Sequence, residues 1–181
     1  MAKTLIIIDM QMDMQRRIDA GYDHVNTEAP ARVAALAAAF RQRGWPVVHV
    51  RHREEDPASG FHPAAAGYPP MRCVEAEGSE PIFEKRTSSA FASTDLEAWL
   101  RAAGCTDLVV VGAVAGFCVN STVRAAADLG FRVTVVPDAV LGFGLPDAGQ
   151  SARAIFDVTM ALLATDFAAM SDLSKPLREG L

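Results

Sequence analysis

The sequence predicts an α/β domain built in three layers: a doubly wound, mostly parallel sheet of about six strands with helices on both faces. Three observations carry that expectation. Short β-branched runs alternate along the chain with longer segments of helical period. The runs Thr4–Ile8 and Asp107–Gly112 are continuously apolar up to their ends, as strands covered on both faces are. Gly44, Gly104 and Gly130 each close a helical segment just before the next strand-like run.

Each element follows from its own residues. Thr4–Ile8 ends in Asp9 and forms the first strand. Val33, Leu36, Ala37 and Phe40 recur at helical spacing, so residues 29–43 form a helix that Gly44 stops, and residues 46–50 form the second strand. Residues 53–79 turn to Pro, Gly, Ala and Glu without a sustained period, which marks a functional loop or cap. Residues 81–84 are a short strand leading into Lys85. Thr94 and Glu97 have capping-box spacing ahead of a helix that presents Leu96, Trp99 and Leu100. Asp107–Gly112 is the central strand. A helix follows over 118–129 with Val119, Val123 and Ala126 inward, then a strand over 131–136 ending at Pro137-Asp138. A long helix over 147–164 carries Ile155, Val158 and Leu162, and residues 166–170 form a last, weaker strand. No repeat or linker divides the chain, so residues 1–181 are read as a single domain of Rossmann-like layout.

Composition narrows the function. With 181 residues, the chain is long enough to bury a core without staples. Seventeen basic against 22 acidic residues give a net charge of -5, which disfavours nucleic acid or an anionic membrane as partner. No run is long and apolar enough for a membrane span, and the N-terminal run is too short for a signal peptide. Three cysteines without a CxxC pair (Cys73, Cys105 and Cys118) point to reduced thiols and a cytoplasmic setting.

In doubly wound sheets, ligands bind beyond the carboxyl ends of the strands. That rule selects Asp9, Lys85 and Cys118, which are distant in sequence yet fall on one edge of the sheet. The glycine-rich dinucleotide fingerprint and the phosphate-binding lysine loop are both absent from the sequence. Cys118 follows strand, turn and helix start, where the helix dipole favours a thiolate and free N–H groups can receive an oxyanion. The plain alternative is a small buried packing residue. Cys73 and Cys105 lack such a setting and are read as structural. Asp9 closes an apolar run, where an acid is costly unless paired or working, and Lys85 gains meaning as the cation that would keep it charged. Asp138 is expected to anchor a turn or helix, residues 53–56 to be a solvated charge run, and His49 and His52 to be a strand residue and a strand-end polar contact.

The segments Leu5-Ile-Ile-Ile-Asp9-Met-Gln11, Phe83-Glu-Lys85-Arg-Thr-Ser-Ser-Ala-Phe91 and Val111-Gly-Ala-Val-Ala-Gly-Phe-Cys118 resemble those of the isochorismatase-like cysteine hydrolases, relatives of nicotinamidase and N-carbamoylsarcosine amidase. Further similarity lies in Thr94-Asp-Leu96, residues 121–131 and Val136-Pro-Asp138-Ala139. The resemblance implies that Asp9, Lys85 and Cys118 form the catalytic set. It also implies a cis peptide between Ala113 and Val114, and an oxyanion hole made by the Val114 and Cys118 amides. Gln11, Phe91 and Phe117 are the candidate substrate contacts, with Phe61 and Phe143 as capping residues from loops. Ala115-Gly116 stands where many members carry Thr-Asp. The Asp-x-His metal motif of nicotinamidases is broken in His49-Val-Arg-His52-Arg-Glu-Glu-Asp56 and is not restored by His24 or His62. No metal and no cofactor are therefore expected. The implied activity is metal-independent cleavage of a small amide through a Cys118 thioester. The alternatives are vinyl-ether hydrolysis of isochorismate-like substrates and a non-catalytic small-ligand module. A small-molecule substrate and a homo-oligomer, dimer or tetramer, are the expected partners.

Overall fold

The computed structural model describes residues 3–172. In chain order its elements are β1 (Thr4–Ile8), α1 (Met12–Asp19), β2 (His24–Val25), α2 (Ala29–Gln42), β3 (Val47–His52), β4 (Ile82–Lys85), α3 (Leu96–Ala102), β5 (Asp107–Gly112), α4 (Asn120–Asp128), β6 (Arg132–Val140), β7 (Gly142–Phe143), α5 (Ala152–Asp166) and β8 (Ala169–Met170). Six strands form one sheet in the order β4-β3-β1-β5-β6-β8, and β2 pairs with β7 apart from it. Every pairing in the large sheet is parallel. Strand order reverses between β1 and β5, the place where such sheets open a crevice.

The continuous apolar runs are explained by cover on both faces. Along β1, Leu5 and Ile7 join one buried cluster with Val33, Leu36 and Phe40 of α2. Ile6 and Ile8 point the other way, into a cluster with Leu96 and Leu100 of α3, Val123 of α4 and Phe156 of α5. Side chains alternate across a strand, so an uninterrupted run fills two cores at once.

Several elements depart from their sequence-based outlines. α1 is an element the sequence pattern does not predict; Met14 is its one buried residue, with Met12 and Ile18 packed partly buried against the same core. β6 runs on through Pro137 to Val140, held by Asn26, whose amide donates to the Pro137 and Val140 carbonyls at 2.9 and 2.8 Å. α5 starts at Ala152, after a tight turn at Pro146–Ala148. Its buried face is Phe156, Met160 and Leu163, whereas Val158 and Leu162 are exposed. The last strand is cut to Ala169–Met170. No capping box forms at α3: Thr94 Oγ1 accepts from the Leu96 N–H and donates to the Ala90 carbonyl, while Glu97 pairs with Arg101. Asp138 does anchor a helix, through Arg32 of α2 at 2.7 Å.

The long loop after β3 is pinned against the start of α1. Met12 N–H donates to Pro69 O, Asp13 N–H to Gly67 O, and Met71 N–H to Met10 O, at 2.8, 2.9 and 2.9 Å. The remaining stretch reaches back to the sheet edge and lays the Phe61 ring edge-on against His52, centroids 5.1 Å apart.

Candidate active site

Asp9 is the first residue past β1 and adopts φ +48°. A left-handed conformation costs a residue with a Cβ about 1–2 kcal/mol. Backbone bonds hold it there: the Asp9 N–H donates to Val50 O, and its carbonyl accepts from the Gln11 N–H. On the neighbouring strand, Gly112 has φ +119°, and a Cβ there would stand 2.1 Å from the Ile8 carbonyl oxygen. Only glycine lets β5 close so tightly on β1 beside the acid.

Beyond Gly112 the chain passes a cis peptide between Ala113 and Val114 and enters a single wide turn over Ala115–Val119. The Val119 N–H reaches back five residues to Val114 O, and the Asn120 N–H to Ala115 O, so this is a π-type turn rather than the first turn of an α-helix. Such turns recur at functional sites. Cys118 sits in it, half-buried. Among the described residues the Val114 N–H has no backbone acceptor, and the Cys118 N–H lies in the turn that follows it.

The third group arrives from the sheet's edge. Lys85 ends β4, in register with His52 of β3, and is fully buried. Its ammonium lies 2.7 Å from Asp9 Oδ2, 3.2 Å from Cys118 Sγ and 3.0 Å from His52 Nδ1. An ammonium has three protons and no acceptor, so these contacts use all of them. Asp9 Oδ1 is buried without a hydrogen-bond partner among the described residues.

Burial pushes the Asp9 carboxyl above its usual range, against the pull of Lys85 and of the Cys118 thiol. Burial also pushes the Cys118 thiol up, to about 12, and the negative charge of Asp9 adds to that rise more than Lys85 offsets. The expectation of a thiolate made easy by the helix start is corrected here: the thiol is the resting form. Ionisation of this sulfur requires an acceptor for its proton, and the carboxylate beside it, raised in basicity, is matched to that task.

Asp9, His52 and Cys118 place ligand atoms within 4.8 Å of one another, a donor set a metal ion could use. All three already converge on the Lys85 ammonium, so a divalent cation would have to evict a buried charge and meet its repulsion. These residues do not fit a resident metal.

The structure brings Asp9, Lys85 and Cys118 together, as their strand-end positions implied. Gln11 has a different task from substrate contact. It is fully buried, its amide donating to His52 O and Tyr68 O at 3.0 and 2.8 Å and accepting from the His52 N–H at 2.8 Å. It clamps the capping loop to the sheet. Phe91 stacks on Phe131 with centroids 5.9 Å apart and packs against the core. Phe117, the residue before Cys118 in the chain, remains 49% exposed. Phe61 and Phe143 both face Arg17, whose guanidinium carbon lies 5.8 and 5.9 Å from their rings. A cavity of about 900 Å3 opens beside Arg17, Tyr22 and Phe143, and neither Asp9, Lys85 nor Cys118 lines it. From its sequence position alone His52 is only a strand-end polar contact. Its partnership with Lys85 depends on β3–β4 register, which a local pattern does not encode. Nor are residues 53–56 simply a solvated run, since Glu54 Oε1 holds His52 Nε2 at 3.0 Å.

A doubly wound α/β domain with a buried acid and ammonium and a half-buried thiol at its strand-order reversal defines a class of hydrolase scaffold, and comparison with known proteins agrees. The isochorismatase domain model matches residues 3–166, and the chain belongs to the isochorismatase family of hydrolases. The isochorismatase family protein YrdC of Bacillus subtilis (strain 168) is 29% identical over 171 residues, covering 93% of this chain and 90% of that one. Streptothricin hydrolase of Streptomyces noursei is 33% identical over 139 residues, 76% of this chain and 50% of that one. N-carbamoylsarcosine amidase of Arthrobacter sp. is 30% identical over 136 residues, 65% and 51% of the two chains. A solved isochorismatase-family structure from Chromobacterium violaceum superposes with a TM-score of 0.91 at 32% identity, covering 97% of this chain and 92% of that one. Among the described residues no helix is long and apolar enough to cross a membrane.

Proposed function

We propose that this chain is a metal-independent cysteine hydrolase that cleaves a small carboxamide or related C–N bond through a thioester on Cys118. The observation that carries the reading is the Lys85 ammonium, bonded at once to Asp9 Oδ2 and Cys118 Sγ, beside a carboxylate oxygen with no other partner. The amidase and hydrolase names among the relatives support the bond class.

Asp9 takes the Cys118 proton as sulfur attacks the carbonyl carbon, and the new C–S bond pushes the carbonyl electrons onto oxygen. The Val114 and Cys118 amides receive that oxyanion; donors of this kind are worth roughly 3–4 kcal/mol each. The tetrahedral species collapses, the C–N bond breaks, and protonated Asp9 gives its proton to the leaving nitrogen. Water then adds to the thioester, Asp9 accepting its proton, and the C–S bond breaks to release the acid as Asp9 passes that proton to sulfur, restoring both thiol and carboxylate. Lys85 keeps its charge throughout and balances whichever of carboxylate or thiolate is ionised.

The test is ammonia or amine release from a panel of small amides and hydrazides by wild type, Cys118→Ala and Asp9→Asn. Both variants are expected to lose about a thousandfold or more in kcat/KM. Undiminished release by pure Cys118→Ala overturns the thioester. A second reading, vinyl-ether hydrolysis, is favoured by one observation, the burial of Asp9 with its Oδ1 unpartnered among the described residues, which raises its affinity for a proton and suits an acid. It is distinguished by an enol-ether substrate on which Cys118→Ala still works and Asp9→Asn does not.

A further inference from the structure

We propose that His52 is a positioning residue of this site, acting through Lys85: held as the neutral Nε2–H tautomer by Glu54, it supplies the third acceptor that fixes the ammonium between Asp9 and Cys118. The tautomer follows from the contacts. The ammonium can only donate, so His52 Nδ1, 3.0 Å from Nζ, must be the acceptor and unprotonated. The ring proton then lies on Nε2, which faces Glu54 Oε1 at 3.0 Å. Three further contacts leave the ring little freedom. Its backbone N–H and carbonyl are both bound by the Gln11 amide, and Phe61 packs edge-on against it. A fully buried ammonium with one proton unsatisfied would lose much of its reason to stay charged or in place. The third acceptor is therefore part of what keeps a cation beside the sulfur.

The inference rests on the reading of Cys118 as nucleophile, and its test needs no turnover, so a silent substrate panel and a failed His52 result remain distinguishable. The probe is iodoacetamide. The alkylation rate of Cys118 at neutral pH is followed by peptide-resolved mass spectrometry, which separates it from Cys73 and Cys105. The proteins are wild type, His52→Asn and His52→Leu, each checked for folding by circular dichroism. The Asn side-chain oxygen takes the place of Nδ1 as acceptor. His52→Asn is expected to alkylate within about threefold of wild type and His52→Leu about tenfold slower or more. Equal rates for His52→Leu and wild type, or an Asn variant as slow as the Leu variant, overturn the proposal. If His52→Leu does not fold, His52→Ala, which also lacks the acceptor, takes its place, and equal rates for His52→Ala and His52→Asn overturn the proposal.

Discussion

Replacing Lys85 with Met keeps most of the side-chain volume and removes the charge. Asp9 is then a buried carboxylate with no cation within reach, since the ammonium at 2.7 Å was its partner. Breaking a buried ion pair by deleting one member costs about 3–5 kcal/mol, which for a domain of this size lowers Tm by roughly 10 °C. The loss depends on pH with a definite sign. Burial raises Asp9 above its unfolded value even with Lys85 opposing, and without Lys85 the rise is larger. The folded variant thus holds a proton that the unfolded chain has already released, and its stability falls as pH rises through the folded-state value. Urea unfolding followed by circular dichroism at pH 5 and pH 8 should show the larger penalty at pH 8. Combining Lys85→Met with Asp9→Asn should recover about 2 kcal/mol or more, because the orphaned charge is gone. A loss below about 1 kcal/mol at pH 8, or an equal loss at both pH values, refutes the reasoning.

Two further outcomes are expected. Glu80 is held down at about 2, against the push of burial, by Arg41, the Glu77 N–H and His49, from an ordinary value of 4.5. It therefore adds about 3 kcal/mol of stability above pH 4.5, lost as pH falls towards 2, and Glu80→Gln should flatten that limb of a pH–urea profile. Phe117 is half exposed and directly precedes Cys118 in the chain, so Phe117→Ala should change stability by about 0.5 kcal/mol or less while shifting the kcat/KM ratio between aromatic and short aliphatic amides several-fold; an unchanged ratio with a lowered Tm would make it a core residue.

How far the sequence spoke depends on whether each feature is local. Leu5–Ile8 of β1 and Leu108–Val111 of β5 are uninterruptedly apolar because two cores claim alternate side chains, and that pattern survives in one dimension. Asp9 was legible as an acid at the end of such a run, and Cys118 as a thiol after strand and turn. α1 was not, because its eight residues bury Met14 alone and only Met12 and Ile18 join it against the core, too few apolar positions to mark a helix. The span of β6 past Pro137 depends on Asn26, more than a hundred residues away. Gln11 looked available for a ligand because its position beside Asp9 was visible and the loop that consumes its amide was not. The charge state of Cys118 was misjudged for a similar reason: the helix start is local, whereas the burial and the neighbouring carboxylate that dominate it are tertiary.

The ammonium at the centre of the site is carried by β4, a four-residue strand at the rim of the sheet, paired on one side only and with Ile82 turned partly to solvent. Outer strands are where local opening is easiest. If β4 peels away, five strands and both cores persist, yet the acid and the thiol lose their shared counter-charge. Chemical competence is therefore more fragile than the scaffold: mild denaturant should silence the sulfur while helicity is still intact.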